Sequence, residues 1–131
     1  MHVAPWVNNY IGIPYKFSGY GMDGADCWGL VRMILRREYG KELPGYAHDG
    51  ADRAGLSAIV DSALPTAPVD KVEDPEPGDL ALLTILGAHC HIGVVAGAGL
   101  MVHTLYKHDS ALESYAGSRW AKRLEGFYRV R

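Results

Sequence analysis

Cys90-His91-Ile92-Gly93-Val94-Val95-Ala96-Gly97-Ala98-Gly99-Leu100-Met101-Val102-His103-Thr104-Leu105 is the stretch on which the fold turns. Two runs rich in β-branched residues flank a glycine turn, the pattern of an antiparallel hairpin. Strand alternation sets His91 with Gly93 and Val95 on one face, and Cys90, Ile92 and Val94 on the other. If Gly97-Ala98-Gly99 closes a three-residue loop, Ala96 pairs with Leu100. His103 then lies opposite Gly93, on the face of His91 and one diagonal step from it. A two-residue loop would send the two histidines to opposite faces. Gly93, without a side chain, leaves room beside both imidazoles. Cys90 points away from His91 toward the core, so a disulfide with Cys27 is not expected.

Further strands flank this hairpin, at Asp79–Leu86 and Leu124–Val130, with Leu100–Tyr106 as its second arm. Upstream, Cys27–Tyr39 predicts a helix. Leu30, Val31, Ile34 and Leu35 fall on one face, Asp26 suits the N-cap, and Arg36 and Arg37 sit near the C-terminal end, where Gly40 stops it. A short helix is expected near Trp6–Ile11 and a weaker amphipathic one over Ala51–Ala63. Residues 14–26, punctuated by Gly19, Gly21 and Gly24, read as an irregular loop. Leu64–Gly78 carries Pro65, Pro68, Pro75 and Pro77 and reads as a surface connection without helix or central strand. Helices followed by a run of strands imply an α+β fold with an antiparallel sheet.

The chain has 131 residues, which leaves room for one domain spanning 1–131. Thirteen basic residues against fifteen acidic ones leave a net charge of −2, which excludes a phosphate-backbone binder relying on a basic face. The longest apolar run, Leu80–Leu86, is far short of the ~20 residues of a membrane span. No basic-then-apolar leader opens the sequence, so no secretory signal is expected.

Cys27 carries the first chemical possibility, because it opens a helix. Backbone N–H groups and the positive end of the helix dipole favour a thiolate there, while Asp26 opposes it and is better read as a cap. The bland alternative is a small buried apolar residue. A nucleophile needs a base, and His91 with His103 on the same sheet face offers a base and an orienting group. His89-Cys90-His91 with His103 and His108 could ligate zinc, but no C-x-x-C or H-E-x-x-H spacing is present. Glycines 19–24 lack the ending of a phosphate loop.

Tyr15 with the glycines after it, Asp26-Cys27-Trp28-Gly29-Leu30-Val31, Pro77-Gly78-Asp79-Leu80, His91-Ile92-Gly93-Val94 and Met101-Val102-His103 together resemble the NlpC family of papain-like cell-wall peptidases, in the family's order and over nearly the whole chain. The resemblance implies a papain-like α+β fold, with N-terminal helices packed on a C-terminal antiparallel sheet. Cys27 matches the nucleophile, His91 the general base and His103 the residue that orients the base. Tyr15 matches a tyrosine lining the site near the oxyanion. It implies hydrolysis of an amide in the peptidoglycan stem peptide, typically between D-γ-glutamyl and a diamino acid, through a thioester and without a cofactor.

Trp28 stands where secreted members commonly carry serine. The D-C-W-G-L-V form looks more like the branch found in phage and prophage tail assembly proteins. That branch implies tail-tip partners and a protein made in the bacterial cytoplasm that acts at the cell wall. The same resemblance leaves a tail-assembly protein with dispensable catalysis, or an amidase or acyltransferase, as alternatives. The connection 44–78 is longer than in compact members, and Tyr46, His48 and Asp49 match no family role.

Overall fold

The computed structural model describes residues 2–43, 69–85 and 88–131, with the backbone alone at 85 and 88–90. After a 3-10 turn at Val7–Tyr10, the order is β1 (Tyr20–Gly21), β2 (Gly24–Ala25), α1 (Cys27–Tyr39), β3 (Val69–Val72), β4 (Leu80–Ile85), β5 (Ala88–Gly97), β6 (Leu100–His103), β7 (Ala111–Ser114) and β8 (Leu124–Val130). Strands β3-β8-β4-β5-β6-β7 form one six-stranded antiparallel sheet in that order, and β1 and β2 form a small ribbon. The α+β architecture is as expected. Among the described residues α1 is the one α-helix, so the expected set of N-terminal helices reduces to α1 and a 3-10 turn. The expected helix over Ala51–Ala63 lies outside the described residues.

Helix α1 has the expected ends. Asp26 caps it, its side chain accepting from the Gly29 N–H at 2.7 Å. Gly40 closes it in the left-handed region at φ +62°, and its N–H returns to Arg36 O at 3.1 Å. Leu30, Val31, Ile34 and Leu35 are buried and share a core with Leu80, Ile92, Val94, Ala96, Val102 and Val130 of the sheet. Each of the Leu, Val and Ile side chains among them contributes about 1.5–3 kcal/mol on burial. Ala81, Leu83, Val95 and Met101, at the alternate positions, form a second cluster with Trp120 on the other face. The sheet is therefore apolar on both faces, and α1 covers only one of them.

Two segments read as irregular carry strands. Residues 20–25 fold into the β1–β2 ribbon, and Tyr15 bridges to Ala25 beside it. Val69–Val72 forms edge strand β3 on β8. Pro75 and Pro77 come after this strand and do not interrupt it.

The β5–β6 hairpin reaches the expected register by another route. Val94 pairs with Val102 and Val95 with Met101, as a three-residue loop would give. Yet Gly97 pairs with Leu100, so the loop is the two residues Ala98-Gly99, at φ +57° and +76°. Two successive positive φ values are those of a type I′ turn. The expected Ala96–Leu100 pair is absent because Ala96 is bulged out of the ladder, and this extra residue restores the parity that a two-residue loop alone would reverse. The carbonyl freed at Ala96 accepts the N–H of Ala4 at 2.8 Å, which ties the N-terminal segment across the hairpin.

Candidate active site

Cys27 is the first residue of α1, and it is buried. Its place depends on close backbone approach between α1 and the loop before β1. A Cβ on Gly29 would overlap Gly19 O, so only glycine lets the helix start there. Asp26 reinforces that approach by also accepting the N–H of Ser18 at 3.1 Å. The capping role expected for Asp26 is thus what the carboxylate does.

Tyr15 stands beside Cys27. Its segment is stitched to the ribbon by Lys16 N–Ala25 O (3.1 Å) and Ala25 N–Pro14 O (3.0 Å). It is stitched to the loop after β6 by buried Ser110, whose hydroxyl donates to Tyr10 O and accepts from Ile13 N. The ring packs edge-on against Tyr106, centroids 5.5 Å apart. Burial, followed by the negative charges available to Cys27 and Asp26, pushes the Tyr15 hydroxyl up to about 12. It therefore remains a hydrogen-bond donor throughout the ordinary pH range.

His91 and His103 meet as the register demands. His91 Nε2 and His103 Nδ1 are 2.8 Å apart, with the rings edge to face. A Cβ on Gly93 would sit 3.2 Å from the Cβ of His103 and 3.1 Å from Met101 Sδ, so the space beside the imidazoles depends on that glycine. Both histidines are buried. Trp120 stacks on His91 at 5.3 Å with the planes 20° apart and meets His103 edge-on. Burial pushes His91 down to about 3, helped by the neighbouring His103 and Arg119. His103 is also lowered by burial, with Glu113 pulling the other way. Both rings are neutral at pH 7.

The structure thus joins the expected residues as two groups, Cys27 with Tyr15 and His91 with His103. The histidines stand on the sheet face that carries Trp120, not on the face packed by the body of α1. What the two groups share is the core around Ile92, the residue after His91, which belongs to the same cluster as Cys27. The side chain of Cys90, expected in the core, lies outside the described residues. Trp28 and Trp120 are buried, and Tyr20 is exposed under the guanidinium of Arg32, 4.1 Å above its ring.

Glu113 was not foreseen. Its carboxylate Oε1 lies 2.8 Å from His103 Nε2, and Oε2 lies 3.5 Å from Arg119. It projects from β7, a strand that the reading of the sequence omitted. In β7, Ala111 pairs with His103 and Glu113 with Met101, so Glu113 is the diagonal neighbour of His103 on the same face. Recognising a β6–β7 hairpin would have brought it into view.

Comparison with known proteins places the chain. The family model described as the NlpC/P60 family matches residues 12–129. A gamma-DL-glutamyl hydrolase of Bacillus subtilis is 25% identical over 130 residues, covering 97% of this chain and 28% of the relative. A "Probable endopeptidase" of Mycobacterium bovis is 33% identical over 94 residues, covering 72% of this chain and 20% of the relative. The chain spans less than a third of the length of these curated relatives. Among solved structures, the NlpC/p60 domain of the peptidoglycan hydrolase SagA superposes with a TM-score of 0.64 at 20% identity, over 95% of this chain and 92% of that one. NlpC2 from Trichomonas vaginalis gives 0.68 at 18% identity, over 95% and 43%. These likenesses agree on the papain-like fold, and the family match over residues 12–129 settles the affiliation: this chain belongs to the NlpC/P60 family.

Proposed function

We propose that the protein is a cysteine endopeptidase that hydrolyses an amide of the peptidoglycan stem peptide, at the bond between D-γ-glutamyl and a diamino acid. The observation that carries the reading is a cysteine opening a helix in a chain that also holds a buried pair of neutral histidines, the residues that the resemblance matches to a nucleophile, a base and an orienting group. Cys27 Sγ gives its proton to His91 and attacks the carbonyl carbon. The tetrahedral oxyanion draws on the Cys27 backbone N–H at the helix start and on the Tyr15 hydroxyl. The C–N bond then breaks, and the amine leaves with the proton held by His91. Water, deprotonated by the same imidazole, resolves the thioester and frees the carboxylate and Cys27.

The relative named as a gamma-DL-glutamyl hydrolase supports a γ-glutamyl amide as the bond, and the diamino acid on its other side is what the resemblance implies. The D-C-W-G-L-V segment supports a setting in a phage or prophage tail, where tail-tip proteins would carry the enzyme to the wall. Residues 1–131 act as one catalytic domain. The test is digestion of purified peptidoglycan by the wild type and by Cys27→Ala, with mass spectrometry of the released fragments. Fragments with a new D-γ-glutamyl carboxyl end, released by the wild type alone, support the reading. Identical traces from both proteins overturn it.

A further inference from the structure

His91, His103, Glu113 and Arg119 form one hydrogen-bonded row across β5, β6, β7 and the segment after β7. The proton count along this row is constrained. Burial opposes ionisation of Glu113, but contacts with Trp120 and His103 and the charge of Arg119 outweigh it, and its carboxyl stays below the usual range. The Trp120 indole N–H has no partner at hydrogen-bonding geometry among the described residues, yet it lies near enough to Glu113 to contribute. An ionised carboxylate only accepts. His103 must therefore donate its Nε2–H to Glu113. A neutral ring with its proton on Nε2 has a lone pair on Nδ1, so the 2.8 Å contact to His91 requires His91 Nε2 to be the donor. The one ring nitrogen of the pair left with a free lone pair is His91 Nδ1.

Reversing the row exposes what Glu113 prevents. With both bonds inverted, His103 Nδ1–H would donate to His91 Nε2, His91 would carry its proton on Nδ1, and no basic nitrogen would remain. Only a group that cannot donate, placed at His103 Nε2, excludes that arrangement. We infer that Glu113, held by Arg119, is a positioning residue that sets the tautomer of both histidines through His103 and so leaves the basic lone pair on His91 Nδ1. The catalytic consequence rests on the reading of His91 as the base for Cys27, whereas the tautomer assignment stands without it.

The experiment is ring-nitrogen NMR of the 15N-histidine-labelled protein at pH 7, on the wild type and on Glu113→Gln, with stem-peptide hydrolysis measured on the same samples. The amide introduced by Glu113→Gln can accept from or donate to His103, so both arrangements become available. The wild type is expected to show Nε2–H on His91 and His103, with Nδ1 unprotonated on both. In Glu113→Gln the His91 Nδ1 signal moves toward the protonated position. The hydrolysis rate falls about tenfold or more, with KM little changed, as expected when the base is withdrawn from part of the population. Circular dichroism confirms that the variant is folded. A wild-type His91 protonated on Nδ1, or a variant with wild-type tautomers, overturns the inference, and the wild-type spectrum decides even where the variant does not fold. Expected tautomers in a protein without hydrolytic activity support the inference and instead contradict the peptidase reading.

Discussion

Asp26 shows how one side chain can serve two opposed demands. As the cap of α1 it accepts the N–H of Gly29 and holds Ser18 against the helix start. As a carboxylate next to Cys27 it works against a thiolate. The two roles separate by substitution. Asp26→Ala should lose ~1 kcal/mol of stability, the usual worth of an N-cap. Asp26→Asn keeps a capping oxygen and should stay within ~0.5 kcal/mol of the wild type, since Asn and Asp cap comparably. Urea denaturation of the two variants gives both numbers. In the Asn variant the pH inflection of Cys27 alkylation should also move down, because the adjacent negative charge is gone. An Asn variant as unstable as the Ala variant would show that the charge, not the cap, stabilises this helix.

At the scale of elements, the β5–β6 hairpin shows what could be read from residues and what could not. Alternation along each strand is local, so the pairing of His91 and His103 on one face followed from parity. The loop length stays open in the sequence because Gly97-Ala98-Gly99 fits a three-residue loop as well as a two-residue one. The choice was made elsewhere in the chain, by the Ala4 N–H that takes the Ala96 carbonyl and stabilises a bulge. Strand β7 was missed for a related reason: Ala111-Leu112-Glu113-Ser114 is short and weakly apolar, and it gains strand geometry from its partner β6. Helix α1 was legible to its ends because cap, stripe and stop are all encoded within its own residues. The I′ turn carries a local cost, since Ala98 sits at φ +57°. Asn is far better suited to that position. Ala98→Asn should therefore raise stability by ~0.5–1 kcal/mol, read from the shift in the thermal midpoint. A lower midpoint would show that the turn is not I′ in solution.

The whole molecule should be acid-labile, and the buried histidines set the direction. His91 is held near 3 in the folded protein and titrates near 6.5 when unfolded. Between those values the unfolded chain binds the proton that the folded chain refuses. Stability from this burial is therefore complete above about 6.5 and is lost as pH falls toward about 3. His103 acts in the same sense, as does Glu113, whose lowered carboxyl contributes above its unfolded value and is lost on protonation. The thermal midpoint should fall steadily from about pH 6.5 to about 4, and His91→Gln, which cannot titrate, should flatten that slope. A midpoint independent of pH over the same range would mean that these rings are not buried as neutral groups in solution.

Catalysis as proposed requires Cys27 and His91 to act as one unit, although they stand on different elements and His91 faces away from the body of the helix. A double-mutant cycle on hydrolysis of a D-γ-glutamyl–diamino acid peptide tests that claim directly. Cys27→Ala and His91→Ala should each lower kcat/KM by at least ~100-fold, and the double variant should be no slower than the worse single one, because neither residue works without the other. Losses that multiply in the double variant, or a His91→Ala protein that keeps wild-type turnover, would contradict it.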